Sequence, residues 1–489
     1  MKYKIIGTIS TILTLIIAFT TPFLINTKST RYHQHLEKEN NSECMHSDQD
    51  FCTHLPLVQI NTGGEIIPGL PVNDTPYLYT KTENGDKELL CNISITDNTN
   101  ANNHLTDAPQ INSNAFIRVR GKSSRRFDKS SYSIRFVNSK SENNPLSVMG
   151  MDAHHEWVLH GPFLDKSLLR NYIWYNIAGE IMDYAPNVRF CEVIINNQYN
   201  GLYLMTETIT AGKNGSRLNL SVDKKDNKFS GYLLRLDIGS EAEIKNINTF
   251  STYSYKHKSG KFNIEYPGIT NLTEPIAEKI SLDFSDFERA LYSFDYDKSQ
   301  YGYSKYIDID SFVNYFIINE FTCNYDAGSF STYIYKDIDN KYRMCVWDFN
   351  NSCDNYQEQA TDMDDFLLQD SIWYFMLCKD EDFTNRIIRK YRQLRKSYLS
   401  TDFLNDYIDS TIEYLGDAID RNYKKWGYTF SDDCIWLQPK ERHIASYDDS
   451  INQLKSFLKK RGDFLDENIE AIKQYSVNSK TKTYNEYVN

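Results

Sequence analysis

The chain has 489 residues, of which 40% are hydrophobic and 14% aromatic, so it can bury a sizeable core. A length of about 150 residues per domain allows two or three folding units or one large two-lobed body. Its formal net charge of −12 argues against a general nucleic-acid-binding surface, because such a surface needs a basic face.

The N-terminal segment carries an uncharged run at 5–25 behind Lys2 and Lys4. At roughly 20 residues this run is long enough to cross a bilayer, and it offers only a poor signal-peptidase site. We predict an uncleaved transmembrane signal anchor over 1–25, with a cleaved signal peptide as the alternative. The two lysines favour a cytoplasmic N-terminus. The predicted localisation is therefore a single-pass membrane protein with an extracytoplasmic bulk domain.

The next two segments differ in composition. Residues 26–54 are polar and aperiodic, which is typical of a linker. Over 55–245, short β-rich runs separated by Asn, Gly, Asp and Ser predict a β-rich N-terminal lobe. The runs are PLVQI, AFIRVRG, SYSIRF, EWVLHG, FCEVII, GLYLMTE and GYLLRLD.

Two local features stand out within this lobe. A helix is predicted over 165–181, because its apolar residues recur with helical spacing and Asp165 is a plausible N-cap. A β-hairpin is predicted over 191–207, because the Asn-Gly pair at 200–201 is a strong turn signal between two apolar runs.

The second half of the chain has a helical character. Residues 246–475 are predicted as a mainly helical C-terminal lobe, and 476–489 as a polar tail. Within this lobe, 331–348 is predicted as two strands joined at Asp-Asn. The predicted fold class is α+β, with a β-rich N-lobe and a helical C-lobe in a bilobal arrangement preceded by the transmembrane helix.

The first chemically suggestive stretch is IRVRGKSSRRFDKSSYSIRF at 117–136. Gly121, Ser123 and Ser124 lie between two strand-like runs, where backbone N–H groups and hydroxyls can surround a phosphate. Lys129 and the neighbouring arginines supply positive charge. A basic, solvated hairpin explains the same residues, because the stretch does not match the P-loop pattern.

The second stretch, at 321–356, contains FTCNYDAGSF and VWDFNNSCDNY. Asp326 lies in an irregular segment after a helix, and Asp348 ends a strand beyond the predicted strand pair. Phosphoryl transfer needs one carboxylate to orient or deprotonate the acceptor hydroxyl and another to hold the metal ion. The alternative is that Asp348 and Asn350 cap a turn.

Several motifs in one order carry a family resemblance: RGKSSRRFDKSSYSIRF, EWVLHGPFLDKSLLRNYIWYNIAGEI, NYDAGSFSTYIYKD, VWDFNN, RNYKKW and LKSFLKKRGDFL. Together they resemble the CotH family, the spore-coat protein H kinases, over roughly 55–475. The resemblance implies an atypical protein-kinase-like fold that transfers phosphate from ATP, with Mg²⁺ or Mn²⁺, to Ser or Thr of coat proteins.

The resemblance also implies that the lobe over 55–245 binds the nucleotide and that the lobe over 246–475 carries the catalytic and metal-binding residues. It implies roles for individual residues as well. The turn at 121–124 matches the phosphate-covering turn of the family, and Lys129 matches the lysine that reaches the ATP phosphates. Glu207 matches the end of the family hairpin and is expected to border the nucleotide. Asp326 matches the catalytic-loop aspartate and Asp348 the metal-binding aspartate.

Two positions depart from the family pattern. Many members have a second Asp where this chain has Asn350, and commonly an Asn near the position of Ser331. Asn350 still offers an amide oxygen to the metal, with one negative charge fewer. The alternative to an active kinase is therefore a weak or inactive kinase-like scaffold for coat assembly or surface binding. The expected partners are a Ser-rich basic coat protein and, through the anchor, a membrane.

Overall fold

The structure is a computed structural model that describes residues 31–37, 51–73, 78–98, 101–212, 217–253, 260–337 and 339–476. Tyr32–Asn489 forms one compact unit. The boundaries that we predicted for the linker, the two lobes and the tail stay predictions.

Strands occupy the first part of the described chain and helices dominate the last part. The strands are β1 (Cys52–Thr53), β2 (Leu57–Asn61), β3 (Leu89–Thr96), β4 (Asn103–His104), β5 (Ile111–Val119), β6 (Tyr132–Val137), β7 (Glu156–His160), β8 (Val188–Ile195), β9 (Gln198–Glu207), β10 (Val222–Asp223), β11 (Lys228–Phe229), β12 (Tyr232–Asp237), β13 (Asn246–Ile247), β14 (Lys261–Tyr266), β15 (Thr332–Lys336) and β16 (Tyr342–Cys345). The helices are α1 (Gln34–Glu37), α2 (Arg170–Ile181), α3 (Glu274–Leu291), α4 (Ile309–Thr322), α5 (Tyr374–Leu377), α6 (Glu381–Leu394), α7 (Thr401–Leu415), α8 (Asp417–Trp426) and α9 (Tyr447–Asn468). This distribution supports the α+β part of the predicted fold class.

The first sheet is closed, with the strand order β2-β3-β5-β6-β7-β9-β8. Its neighbours pair antiparallel except β2 and β8, which pair in parallel and complete the closure. Along β5 the side chains alternate, so that Ile117 and Val119 are buried while Arg118 and Arg120 are only partly buried. The inward residues of the sheet form their own apolar cluster. Alternation of this kind is what a strand with one buried face requires.

The second sheet has the order β13-β14-β12-β15-β16. It packs with α2, α4 and α6 to α9 around the larger apolar cluster, which includes Trp174, Phe316 and Trp373. The hairpin β15–β16 is the strand pair predicted over 331–348, and Asn340 in its turn has a positive φ, as the Asp-Asn signal requires. This hairpin connects the loops that carry Asp326 and Asp348.

Our prediction of a transmembrane helix and of a membrane-anchored localisation requires correction. Across the described ranges, the structure has no helix that is both long enough and apolar enough to span a bilayer. The predicted segment at 1–25 lies outside the described residues.

Part of the predicted polar linker packs against the folded chain. In 31–37, Gln34 accepts a hydrogen bond from the backbone N–H of Phe190 at 2.7 Å. His35 and the hydroxyl of Tyr172 are hydrogen-bonded at 2.8 Å. These contacts bury the side chains of Gln34 and His35.

Two local predictions shift in position. Helix α2 begins at Arg170 rather than near 165, because Asp165 bonds Ser167 and Arg170 in the preceding turn. The β8–β9 turn is at Asn196 and Asn197, both with positive φ, rather than at Asn-Gly 200–201. Asn-Asn also tolerates the left-handed conformation that a two-residue hairpin needs.

Gly201, the glycine of that Asn-Gly pair, lies inside β9, where a glycine is needed for close packing and not for a turn. A Cβ at this position would approach Asn422 Oδ1 and Trp426 Nε1 of α8 to 2.8 Å. The glycine therefore permits the close approach of a helix that is more than 200 residues away in the sequence.

Candidate active site

A cavity of about 640 Å³ opens where the turn after β5, the end of β12 and the loops after α4 and β16 come together. We call it the cleft. Most residues that the sequence singled out line it: Gly121, Ser123, Ser124, Lys129, Asp326, Asp348 and Asn350. Glu207 does not line it.

The turn after β5 forms one edge of the cleft. Gly121 has a φ of +105°, and a Cβ there would collide with the Ser124 hydroxyl oxygen. Ser124 and its neighbours continue as a 3₁₀ helix over Ser123–Arg126. Arg125 closes the turn by donating from Nε to the Gly121 carbonyl at 2.6 Å and from Nη1 to the Gly69 carbonyl at 2.8 Å. The turn is thus held by its own contacts, and glycine is required at its first position.

Asp326 lies in the loop after α4. The helix ends at Cys323 in the left-handed conformation, and Asp326 follows in the turn beyond it. Its Oδ2 accepts a hydrogen bond from Asn351 Nδ2 at 3.0 Å. Burial, together with the nearby charge of Asp348, raises the pKa of Asp326 to about 7. The carboxylate can therefore gain and lose a proton near neutral pH.

Asp348 is held by helix α2. Its backbone has a φ of +58°, and its N–H donates to the Tyr175 hydroxyl at 3.0 Å. The next N–H, from Phe349, donates to Asn171 Oδ1 at 2.8 Å. Burial raises the pKa of Asp348 as well. Two side chains of one rigid helix thus set the backbone of this aspartate in a conformation that is costly for a residue other than glycine.

Asn350 is oriented by the same group. Its Nδ2 donates to Asp348 Oδ1 at 2.7 Å, and its Oδ1 accepts from Asn171 Nδ2 at 3.3 Å. The amide nitrogen, rather than the oxygen, therefore faces the carboxylate. Asn350 must turn its amide over before its oxygen can share a metal ion with Asp348.

The loop that follows is anchored by Arg170 of α2. Its guanidinium pairs with Asp165 at 2.5 Å and donates to the carbonyl oxygens of Ser352 and Cys353 at 3.0 and 3.1 Å. It also donates to Gln453 on α9 at 2.8 Å. Because the guanidinium of Arg170 is fully used by these contacts, we assign it a structural role: it holds the loop after Asp348 in place.

Lys129 and Glu207 are engaged inside the fold. Lys129 is buried, and its Nζ donates to the Leu202 carbonyl and to Asn422 Oδ1, both at 2.7 Å. Burial holds the pKa of this amine well below its ordinary value. Glu207 is buried and accepts from the backbone and side-chain nitrogens of Asn187 at 2.9 and 3.0 Å. The nucleotide-binding roles of both residues stay predictions.

Three arginines of the cleft were missed by sequence reasoning. Arg118 lies on β5, Arg120 directly follows that strand, and Arg235 lies on β12; all three line the cleft. A signal for Arg120 was present, because I-R-V-R places Arg118 and Arg120 on the same face of a strand whose other face is apolar. No comparable signal marks Arg235. It lines the cleft because β12 belongs to the second sheet, and the position of that sheet beside the cleft is a feature of the tertiary structure.

The donor set suits a hard divalent cation. Asp326 and Asp348 are partly buried carboxylates, and the charge of Asp348 helps to raise the pKa of Asp326. The side-chain amides of Asn350 and Asn351 each donate to one of them and would offer an oxygen ligand after the amide turns over. Mg²⁺ and Mn²⁺ prefer such oxygen ligands. A cation between the carboxylates would also relieve their repulsion. The residues therefore fit the implied metal, with Asp348 as its best-placed ligand.

A known protein family matches the part of the chain that contains the cleft. The family described as CotH kinase protein matches residues 117–465, well over half of the chain, including every cleft residue discussed above. A search of curated proteins found no match. The chain belongs to the CotH kinase family, and its expected activity is kinase-like.

Proposed function

We propose that the protein is an ATP-dependent protein serine/threonine kinase of the CotH type. The observation that carries the proposal is the meeting of Asp326 and Asp348 in one cleft beside the turn at 121–124. Phosphoryl transfer requires two carboxylates with separate roles next to a phosphate-binding turn. Family membership supports the same conclusion at the level of kinase-like activity.

In the proposed reaction, Asp326 orients the acceptor hydroxyl and receives its proton. The hydroxyl oxygen forms a bond to the γ-phosphorus, the bond from that phosphorus to the β,γ-bridging oxygen breaks, and ADP leaves with the electron pair. The products are ADP and a phosphorylated Ser or Thr. A carboxylate with a pKa of about 7 suits this role, because it is substantially ionised at neutral pH and still binds a proton well.

Asp348 holds the divalent cation in this proposal. When bound, Mg²⁺ or Mn²⁺ neutralises charge on the phosphates. Tyr175 and Asn171 keep the backbone of Asp348 in place, so the ligand is positioned before substrate arrives. The turn at 121–124 offers backbone N–H groups and hydroxyls to the triphosphate.

The acceptor is proposed to be a Ser-rich basic polypeptide, such as a spore coat protein. The net charge of −12 favours a cationic partner, because complementary charge steers association. The cleft itself is partly basic, so this attraction would come from the rest of the surface.

The test uses the full chain with labelled ATP, Mg²⁺ or Mn²⁺ and a Ser-rich basic polypeptide. We expect label on the acceptor with the wild type, and a loss of at least about 10³-fold with Asp348→Asn, because several kcal/mol of charge stabilisation disappear. Asp364→Asn is the control, because this exposed carboxylate does not line the cleft. Equal labelling by the wild type and Asp348→Asn would refute the assignment.

The orientation of Asn350 favours a second candidate, a kinase-like scaffold that binds nucleotide weakly or not at all. Its amide nitrogen faces Asp348, where a metal ligand would present oxygen. Thermal shift separates the candidates, because a ligand that binds only the folded state raises Tm. A Tm that ATP and Mn²⁺ leave unchanged, together with unlabelled acceptor, would favour the scaffold.

A further inference from the structure

The arginines that line the cleft differ in whether their charge already has a partner. Arg118 pairs with Glu88 at 3.4 Å, and Arg235 pairs with Glu265 at 3.0 Å. Arg126 donates to Gln357 Oε1 at 2.8 Å, and Arg125 is used by the turn it closes. Each of these guanidiniums has protein atoms as hydrogen-bond or ion-pair partners.

Arg120 is the exception. Within the ranges that the structure describes, its guanidinium forms neither a hydrogen bond nor an ion pair. It is only partly exposed, and it lies over the Trp347 ring with its Cζ 5.4 Å from the ring centroid. Trp347 immediately precedes Asp348, so the cation faces the metal-binding end of the cleft.

An arginine in this situation is costly for the free protein. A guanidinium carries five N–H donors, and partial burial without acceptors removes hydration that nothing replaces. Burial accordingly lowers the pKa of Arg120. The attraction to Asp348 compensates only in part, because the two groups do not form a direct ion pair. Such cost is typical of a site that a ligand completes.

We propose that Arg120 is the phosphate-binding residue of the cleft and contacts the phosphoryl oxygens of the nucleotide. The flat guanidinium, which lies over the Trp347 ring, has a geometry suited to a bidentate contact with a phosphate. The family resemblance had placed this role on Lys129, whose amine instead bonds Leu202 and Asn422. The inference rests on the proposed function, because it assumes that the ligand of the cleft is a nucleoside triphosphate.

The experiment measures binding without turnover. The full chain is titrated by calorimetry with ATP and Mg²⁺, with inorganic tripolyphosphate, and with adenosine. We expect Arg120→Met to weaken ATP and tripolyphosphate at least about tenfold, as the loss of a charge-assisted hydrogen bond requires, and to leave adenosine unchanged. Arg120→Lys, which keeps the charge and loses the fork, should fall in between.

Arg118→Met is the matched control, because Arg118 is two residues away on the same face and has its own carboxylate partner. Its effect should be clearly smaller than that of Arg120→Met. Circular dichroism checks that every variant is folded, and Arg120→Lys serves if Arg120→Met does not fold.

The outcomes separate this inference from the kinase proposal. A wild type that binds tripolyphosphate but never labels an acceptor, with binding lost in the folded Arg120 variants, supports Arg120 and refutes the kinase. A labelling enzyme whose Arg120 variants bind ATP and tripolyphosphate like the wild type overturns the role of Arg120 alone. A wild type that binds neither polyphosphate overturns it too.

Discussion

Buried charge is treated in two ways in this molecule. Glu320, near the C-terminal end of α4, forms an ion pair at 2.5 Å with Arg461 of α9. Glu320 also accepts from the N–H groups of Leu367 and Leu368 at 2.8 and 2.7 Å. In the cleft, by contrast, Asp326, Asp348 and Arg120 form no direct ion pair with any residue that the structure describes.

The contrast separates stability from function. A buried charge with all its partners supports the fold and leaves nothing for a ligand. A buried charge with incomplete partners lowers the stability of the free protein, and a ligand that supplies the missing partner can restore that stability. Arg170, with a carboxylate and two carbonyl groups, belongs to the first kind, although it holds the loop that follows Asp348 in the chain.

The largest effect is expected where a complete pair is broken. Arg461→Met leaves Glu320 buried without its cation and should lower the free energy of unfolding by about 3–5 kcal/mol, as measured by urea denaturation. Lys459→Met on the same helix is the control, because the Lys459–Asp463 pair is exposed and should contribute less than about 1 kcal/mol.

The same pair offers a second check. Replacing both Glu320 and Arg461 by Met should recover part of the loss, because the uncompensated carboxylate is then gone. If Arg461→Met is no more destabilising than Lys459→Met, the buried Glu320–Arg461 pair does not support the fold in this way.

A charge added to the cleft should sharpen the contrast. Asn350→Asp replaces the amide that donates to Asp348 with a second carboxylate. We expect a lower Tm in metal-free buffer and an affinity for Mn²⁺ raised about tenfold, since the site gains an anionic oxygen ligand. The measurement is Tm across a Mn²⁺ titration. Asn340→Asp, which adds the same charge on the exposed β15–β16 turn, should leave the affinity unchanged; equal responses would contradict the prediction.

Removing a charge from the cleft should give the smallest change in stability, and this change should raise Tm rather than lower it. Asp326→Asn should raise Tm in metal-free buffer by about 1–3 °C at about pH 8 and by less at about pH 5. It should also abolish phosphoryl transfer. The readout is differential scanning fluorimetry, with Asp364→Asn as an exposed control.

The sign follows from linkage. The pKa of Asp326 is about 7 in the folded chain and 3.8 ordinarily, so the folded state holds the proton more tightly. The stability present below about pH 4 is lost as the pH rises through about 7. An asparagine does not undergo this loss. A Tm difference that does not grow between the two pH values would show that Asp326 is not held in this state.

Much of the fold could be predicted from local patterns. The seven β-rich runs contain β2, β5 to β9 and β12, and the 331–348 pair is β15–β16. Period-2 alternation and turn residues carry this information over short distances. The predicted start of α2 was early by about one turn, because Asp165 lies in the turn before the helix, where it accepts from the Ser167 hydroxyl and from the Arg170 side chain and backbone N–H.

The sequence identified the acidic residues of the candidate site better than its basic residues. Asp326 and Asp348 were identified from their positions around a hairpin, and both line the cleft. Lys129 was assigned to phosphate from motif order, yet its amine meets Asn422, 293 residues away. Arg120 escaped notice although it is part of the same motif. No local pattern tells which cation of a basic stretch already has partners.

From the sequence alone one obtains the class of elements, the family and the two carboxylates, because periodicity, turn chemistry and motif order are local properties of the chain. The partners of each charge come only from tertiary structure. Helix α8 reaches Lys129 and Gly201, and α2 orients Asp348 through Asn171 and Tyr175. Among the residues that the structure describes, none forms a hydrogen bond or an ion pair with the guanidinium of Arg120. The physical reason is that hydrogen bonds and desolvation depend on neighbours in space, and those neighbours are hundreds of residues apart in the chain.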